Sequence, residues 1–171
     1  QLLEKKLEQD PHISHVIVIH CETSSGILNP IKTISKIVKS FNRSLLIDSM
    51  SAFGAIPIDC AEIEFDALVS SANKCIEGVP GFGFVFTKKS VLEKSKNNSH
   101  SLSLDLYDQW KYMEEKGQWR FTPPTHTILG FLSALNQHAS EGGVLGRLNR
   151  YEANKNTVSY THLTLPTSVP V

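Results

Sequence analysis

A chain of 171 residues is the size of one ordinary domain, and an apolar share of 40% gives it material for a core. Its formal net charge of zero gives no electrostatic reason to expect nucleic acid or an anionic membrane as a partner. The seven histidines are dispersed without metal-ligand spacing, and no apolar run approaches the roughly 18 residues that a membrane span needs.

Residues 1–10 predict the end of an amphipathic helix with Leu2, Leu3 and Leu7 on one face, stopped by Pro11. Residues 15–20 (HVIVIH) are continuously apolar rather than alternating, which predicts a buried parallel strand. Residues 21–30 form a polar loop carrying Glu22, Thr23, Ser24, Ser25 and Gly26. From there Ile31, Ile34, Ile37, Val38 and Phe41 recur at three and four, the spacing of a helix. Residues 44–48 predict a second strand that ends in the carboxylate of Asp48. A connecting segment over 57–65, with room for a short helix, leads to a third strand over 67–71. A fourth follows at 83–86, in either direction. The polar stretch 87–118 carries a helix around 104–116, and 119–126 is a turn stiffened by Pro123 and Pro124. Helices are predicted at 127–139 and 142–156. Residues 158–171 carry no charge, and this abrupt change predicts a non-native or disordered tail, leaving 1–157 as the folded piece.

Alternating strands and helices of this length predict an α/β fold with a mainly parallel sheet and flanking helices. Ligands of such sheets sit beyond the carboxyl ends of the strands. The loop carrying Thr23, the loop after Asp48 and the loop carrying Lys74 all fall at those ends. Lys74 sits in SSANKCIEGVPGFG (70–83), where small residues let a backbone approach a flat ligand. Its amine, if kept partly neutral, can form a Schiff base with a carbonyl ligand. With a pyridine ring between them, Asp48 could pair with the protonated ring nitrogen and make the ring an electron sink. Taken singly, each residue has a plainer role. Lys74 would be a solvated loop lysine, Asp48 a turn or cap aspartate, Thr23 part of a helix-capping loop, and Thr122 and Thr125 parts of a surface turn. Joint placement is what favours a site. The cysteines Cys21, Cys60 and Cys75 are odd in number and far apart, which suits a reducing, cytoplasmic compartment.

The segments HCETSSGILNP (20–30), DSMSAFGAIPID (48–59), SSANKCIEGVPGFGFVF (70–86) and RFTPPTH (120–126) resemble the class-V, fold-type-I aminotransferases. Within them the wording is most similar to the branch that exchanges an amino group between 2-aminoethylphosphonate and pyruvate. The resemblance implies the central part of a fold-type-I large domain, a pyridoxal 5'-phosphate cofactor, small-molecule substrates, no metal and a homodimer with shared sites. It implies that Lys74 bonds the cofactor and shuttles the proton, and that Asp48 pairs with the pyridine nitrogen. By the same likeness Thr23 bonds near the ring's phenolic oxygen, Met50 packs on a ring face and Asn73 lies near the phosphate. Thr122 and Thr125 resemble positions that reach the phosphate of the neighbouring subunit. An alanine–glyoxylate or serine–pyruvate transaminase, and a non-catalytic α/β fragment, stay open as alternatives. Family members run to about twice this length. A phosphate loop and a stacking aromatic are expected upstream, since the chain starts at Gln1 rather than Met, and a substrate-binding arginine downstream. Arg120, Arg147 and Arg150 do not occupy that arginine's place, so this chain alone is expected to bind cofactor poorly and turn over little.

Overall fold

The structure, a computed structural model, describes residues 2–164, with side chains described as far as Val158. The elements are α1 (Leu2–Gln9), β1 (His15–Ile19), α2 (Ile31–Ser40), β2 (Ser44–Asp48), β3 (Ala67–Ser71), β4 (Gly83–Thr87), α3 (Lys89–Lys94), α4 (Leu106–Lys116), α5 (Thr125–Ser140) and α6 (Gly143–Thr164). They form a four-stranded sheet in the order β1-β2-β3-β4. β1, β2 and β3 are parallel, and β4 returns antiparallel along β3.

Strand register decides which side chains share a face. Ile19 pairs with Asp48 and Asp48 with Val69, so these three stand on one face, while Leu45, Ile47 and Leu68 stand on the other. The second set is buried. Ile31 and Val38 of α2 pack on it, with Ile63 closing the cluster. The spacing of α2's apolar residues explains why it lies there, since Ile31, Ser35 and Val38 fall along one stripe. Ser35, buried in that stripe, donates its hydroxyl hydrogen to the Glu64 carbonyl at 2.7 Å. Each fully buried aliphatic side chain contributes about 1.5–3 kcal/mol.

The amino end of the sheet is closed by charge. Asp66, just before β3, accepts from the Lys39 ammonium at 2.7 Å and from the Leu45 N–H at 2.9 Å. Lys88 lies 3.8 Å from the same carboxylate. With that end pinned by ions, the polar loops gather at the opposite, carboxyl end.

Several expectations are corrected. The strand at 15–19 is parallel but not buried on both faces. It is an edge strand with Ile17 71% exposed, because no described element covers that face. In α1, Leu7 is buried and Leu2 is exposed, so the apolar stripe is narrower than the spacing suggested. The segment 57–65 holds turns rather than a helix, and α3 is an additional short helix. α6 continues to Thr164, and residues 165–171 of the expected tail lie outside the described residues. Among the described residues no helix is long and apolar enough to cross a membrane.

Candidate active site

The loop after β1 is a small closed hairpin. Cys21 bridges Leu28, the Glu22 N–H donates to the Ile27 carbonyl at 2.9 Å, and Gly26 turns the tip at φ +70. That conformation is easily reached only by glycine. Thr23 stands on this loop, exposed, and its hydroxyl hydrogen-bonds the hydroxyl of Ser51. Ser51 belongs to the tight turn after β2, in which the Ser49 carbonyl accepts from the N–H groups of Ala52 and Phe53. The Ser51 carbonyl in turn accepts the Cys75 thiol hydrogen at 3.3 Å, and Cys75 follows Lys74. One serine therefore joins the loops after β1, β2 and β3.

Asp48 ends β2 on the open face of the sheet, half-buried. Its Oδ1 accepts from the Met50 N–H at 2.9 Å, which fixes the carboxylate and sets Met50 beside it, while Oδ2 has no hydrogen bond among the described residues. Lys74 is exposed on the loop after β3, next to the exposed Asn73, and its amine has no hydrogen bond or ion pair among the described residues. Register carries the two toward one rim, since Asp48 pairs with Val69 and β3 ends at Ser71. They do not bond each other. A carboxylate with a free oxygen and an amine with no partner form a donor set that fits a flat heterocycle with a protonated nitrogen and an aldehyde.

Thr122 and Thr125 are less closely tied. Both are exposed, and neither hydroxyl bonds to Thr23, Ser51, Asp48 or Lys74. Thr125 opens α5, and that helix packs on the glycine-rich end of the lysine loop. Phe131 meets Phe82 edge-on at 5.2 Å between ring centroids, and a side chain at Gly81 would collide with Thr127.

Other residues of the rim carried no recognisable motif. His20, at the end of β1, is buried, with its Nδ1 3.2 Å from the Ser49 hydroxyl and its N–H donating to the Asp48 carbonyl at 2.7 Å. Burial pushes this imidazole below its ordinary value, so it stands neutral beneath the rim. Burial likewise raises the Cys75 thiol, which keeps it protonated and able to donate to Ser51. Three arginines are engaged in ion pairs. Arg120 pairs with Asp108 at 3.0 Å, and Arg147 and Arg150 pair with Glu77 and Glu141.

The family model described as "Aminotransferase class-V" matches residues 1–165. The chain is 61% identical over 152 residues to a 2-aminoethylphosphonate--pyruvate transaminase of Rhizobium meliloti (strain 1021), covering 89% of this chain and 40% of that protein. It is 58% identical over 156 residues to 2-aminoethylphosphonate--pyruvate transaminase 1 of Paraburkholderia xenovorans (strain LB400), covering 91% and 40%. The chain thus spans about 40% of the length of these curated relatives. Among solved structures it is similar to pyridoxamine-pyruvate aminotransferase from Mesorhizobium loti, with a TM-score of 0.74 at 27% identity over 83% of this chain and 37% of that one. It shares the fold of alanine--glyoxylate aminotransferase from Nostoc sp., with a TM-score of 0.81 at 22% identity over 99% of this chain and 45% of that one. The expected α/β fold of the fold-type-I aminotransferases, with its mainly parallel sheet, is the fold observed.

Proposed function

The chain belongs to the class-V aminotransferase family, and from that premise we propose that it is the lysine-bearing part of a 2-aminoethylphosphonate–pyruvate transaminase. The enzyme would use pyridoxal 5'-phosphate to turn 2-aminoethylphosphonate into phosphonoacetaldehyde and pyruvate into L-alanine. The observation that carries this reading is the pair of groups at one rim without partners among the described residues, the Lys74 amine and the second oxygen of Asp48, on loops joined through Ser51. Relatives bearing that enzyme's name, at 61% and 58% identity, support the choice of substrates.

When bound, the cofactor supplies an electron sink for a carbanion on the substrate. The chain's own residues do the rest. Asp48, its carboxylate oriented by the Met50 N–H, would hold the proton on the ring nitrogen. Lys74 would hold the cofactor through its aldehyde and, as a free amine, would serve as the base that takes the proton from the amine-bearing carbon of the substrate. Thr23, steadied by Ser51, would donate near the phenolic oxygen, and Met50 would flank the ring. Asn73 lies toward the phosphate, and Thr122 and Thr125 serve the site of a second subunit in a homodimer. Residues 1–157 belong to the cofactor-binding large domain of a cytoplasmic enzyme.

The test uses the full-length enzyme. Borohydride reduction with pyridoxal phosphate should leave a stable adduct on the peptide containing Lys74, and Lys74→Ala should abolish it. An adduct on another lysine would overturn the assignment. Turnover of 2-aminoethylphosphonate with pyruvate should exceed turnover of alanine with glyoxylate. The reverse order would move the enzyme to the alanine–glyoxylate branch.

A further inference from the structure

Among the described residues the Lys74 amine has no side-chain partner, so its aim is set by the backbone of its turn. That turn closes on itself through two bonds. The Glu77 N–H donates to the Lys74 carbonyl and the Gly78 N–H to the Ala72 carbonyl, each at 2.8 Å. It also contains a costly conformation, Glu77 at φ +61, a region that non-glycine residues seldom occupy. Such a turn persists only when its surroundings over-determine it.

The surroundings are supplied by α6. Arg147 is 2% exposed, and its Nη1 donates to the Cys75 carbonyl, the one beside Lys74. The same nitrogen lies 3.1 Å from Glu77 Oε2. Its Nε donates to Glu141 Oε2 at 2.8 Å, and its Nη2 lies 2.7 Å from the same oxygen, at the carboxyl end of α5. Glu77 Oε1 accepts further bonds from Arg150 and from the Tyr151 hydroxyl, both at 2.9 Å. Desolvating a guanidinium is costly unless its donors are filled, and here they are filled by the lysine turn and by the end of α5. A planar fork fixes direction as well as distance, which a lysine ammonium does not.

We infer that Arg147 is a positioning residue for the reaction, holding the Cys75–Glu77 backbone so that Lys74 meets the carbonyl ligand correctly aimed. This rests on the role of Lys74 proposed above. Buried, with its donors on Cys75, Glu77 and Glu141, Arg147 acts through the backbone that carries Lys74.

Two measurements on the full-length enzyme test it. In cofactor-free protein, Arg147→Met should speed amide exchange at Glu77 and Gly78 about tenfold relative to the β2 amides of Leu46 and Ile47, with Arg147→Lys between the two. Equal acceleration at both places, or none, would overturn the positioning role. If Arg147→Met does not fold, Glu77→Gln keeps the shape and weakens the charge-assisted bonds. It should speed exchange at the same two amides about threefold, and exchange unchanged relative to β2 would count against Arg147. With limiting pyridoxal phosphate and borohydride, the adduct on Lys74 should fall about tenfold in Arg147→Met, and kcat should fall while KM for the amino donor stays near its wild-type value. Wild-type protein that forms no adduct overturns the reading of Lys74 itself. Wild-type and variant that trap equally overturn the positioning role alone.

Discussion

The hydroxyls of Thr23 and Ser51 share a hydrogen bond that ties the hairpin after β1 to the turn after β2. Ser51→Ala removes the tie and leaves the Ser51 carbonyl, which Cys75 uses, in place. The affinity of the full-length enzyme for pyridoxal phosphate should fall about tenfold, the size of one lost hydrogen bond. Titration of the cofactor against the apo-enzyme checks this, and an unchanged dissociation constant would remove Thr23 from the site.

Asp48 presents one oxygen to the Met50 N–H and keeps the other free. Asp48→Asn keeps the shape and loses the charge. We expect kcat to drop on the order of 100-fold or more, as for other preorganised charges at a reacting group, while borohydride still traps the adduct on Lys74. Loss of the adduct together with activity would mean that Asp48 holds the fold of the rim rather than the ring nitrogen.

At the opposite end of the sheet, Asp66 governs stability. Burial alone would raise its carboxyl, but the Lys39 ammonium, the Leu45 N–H and Lys88 outweigh burial and hold it below the ordinary carboxylate value. The folded protein therefore binds this proton less readily than the unfolded chain. The stabilisation is fully present above about pH 4 and is lost as pH falls through the lower folded value. Asp66→Asn should cost about 3 kcal/mol at pH 7. The gap between wild type and variant in urea midpoint should narrow below pH 4, and a constant gap would refute the assignment.

Gly54 sits at φ +95, and a side chain there would run into Ile76. Its carbonyl accepts from His138 Nε2 at 2.6 Å, which links the turn after β2 to α5. Gly54→Ala should destabilise the enzyme by about 2 kcal/mol through strain and crowding together. Because Ile76 lies in the lysine turn, cofactor affinity should weaken as well. Chemical denaturation and cofactor titration of the same variant test the two effects separately.

Local spacing carried the strands, α2 and the rim to which Thr23, Asp48 and Lys74 belong, because each depends on residues close in sequence. Residues that act across long separations were not legible. Arg147 and Glu77 lie 70 positions apart with no local motif joining them, and only the folded chain brings the guanidinium under Cys75. The exposure of Ile17 was hidden for a related reason. An apolar run reports what a strand can bury, and the packing partner decides what it does bury.

The reversal of β4 has one more result. Lys74 rides on a span whose two ends, Ser71 and Gly83, are paired with each other in one ladder. The loop around the lysine is thus closed by its own ladder before the polar connection to α4 begins.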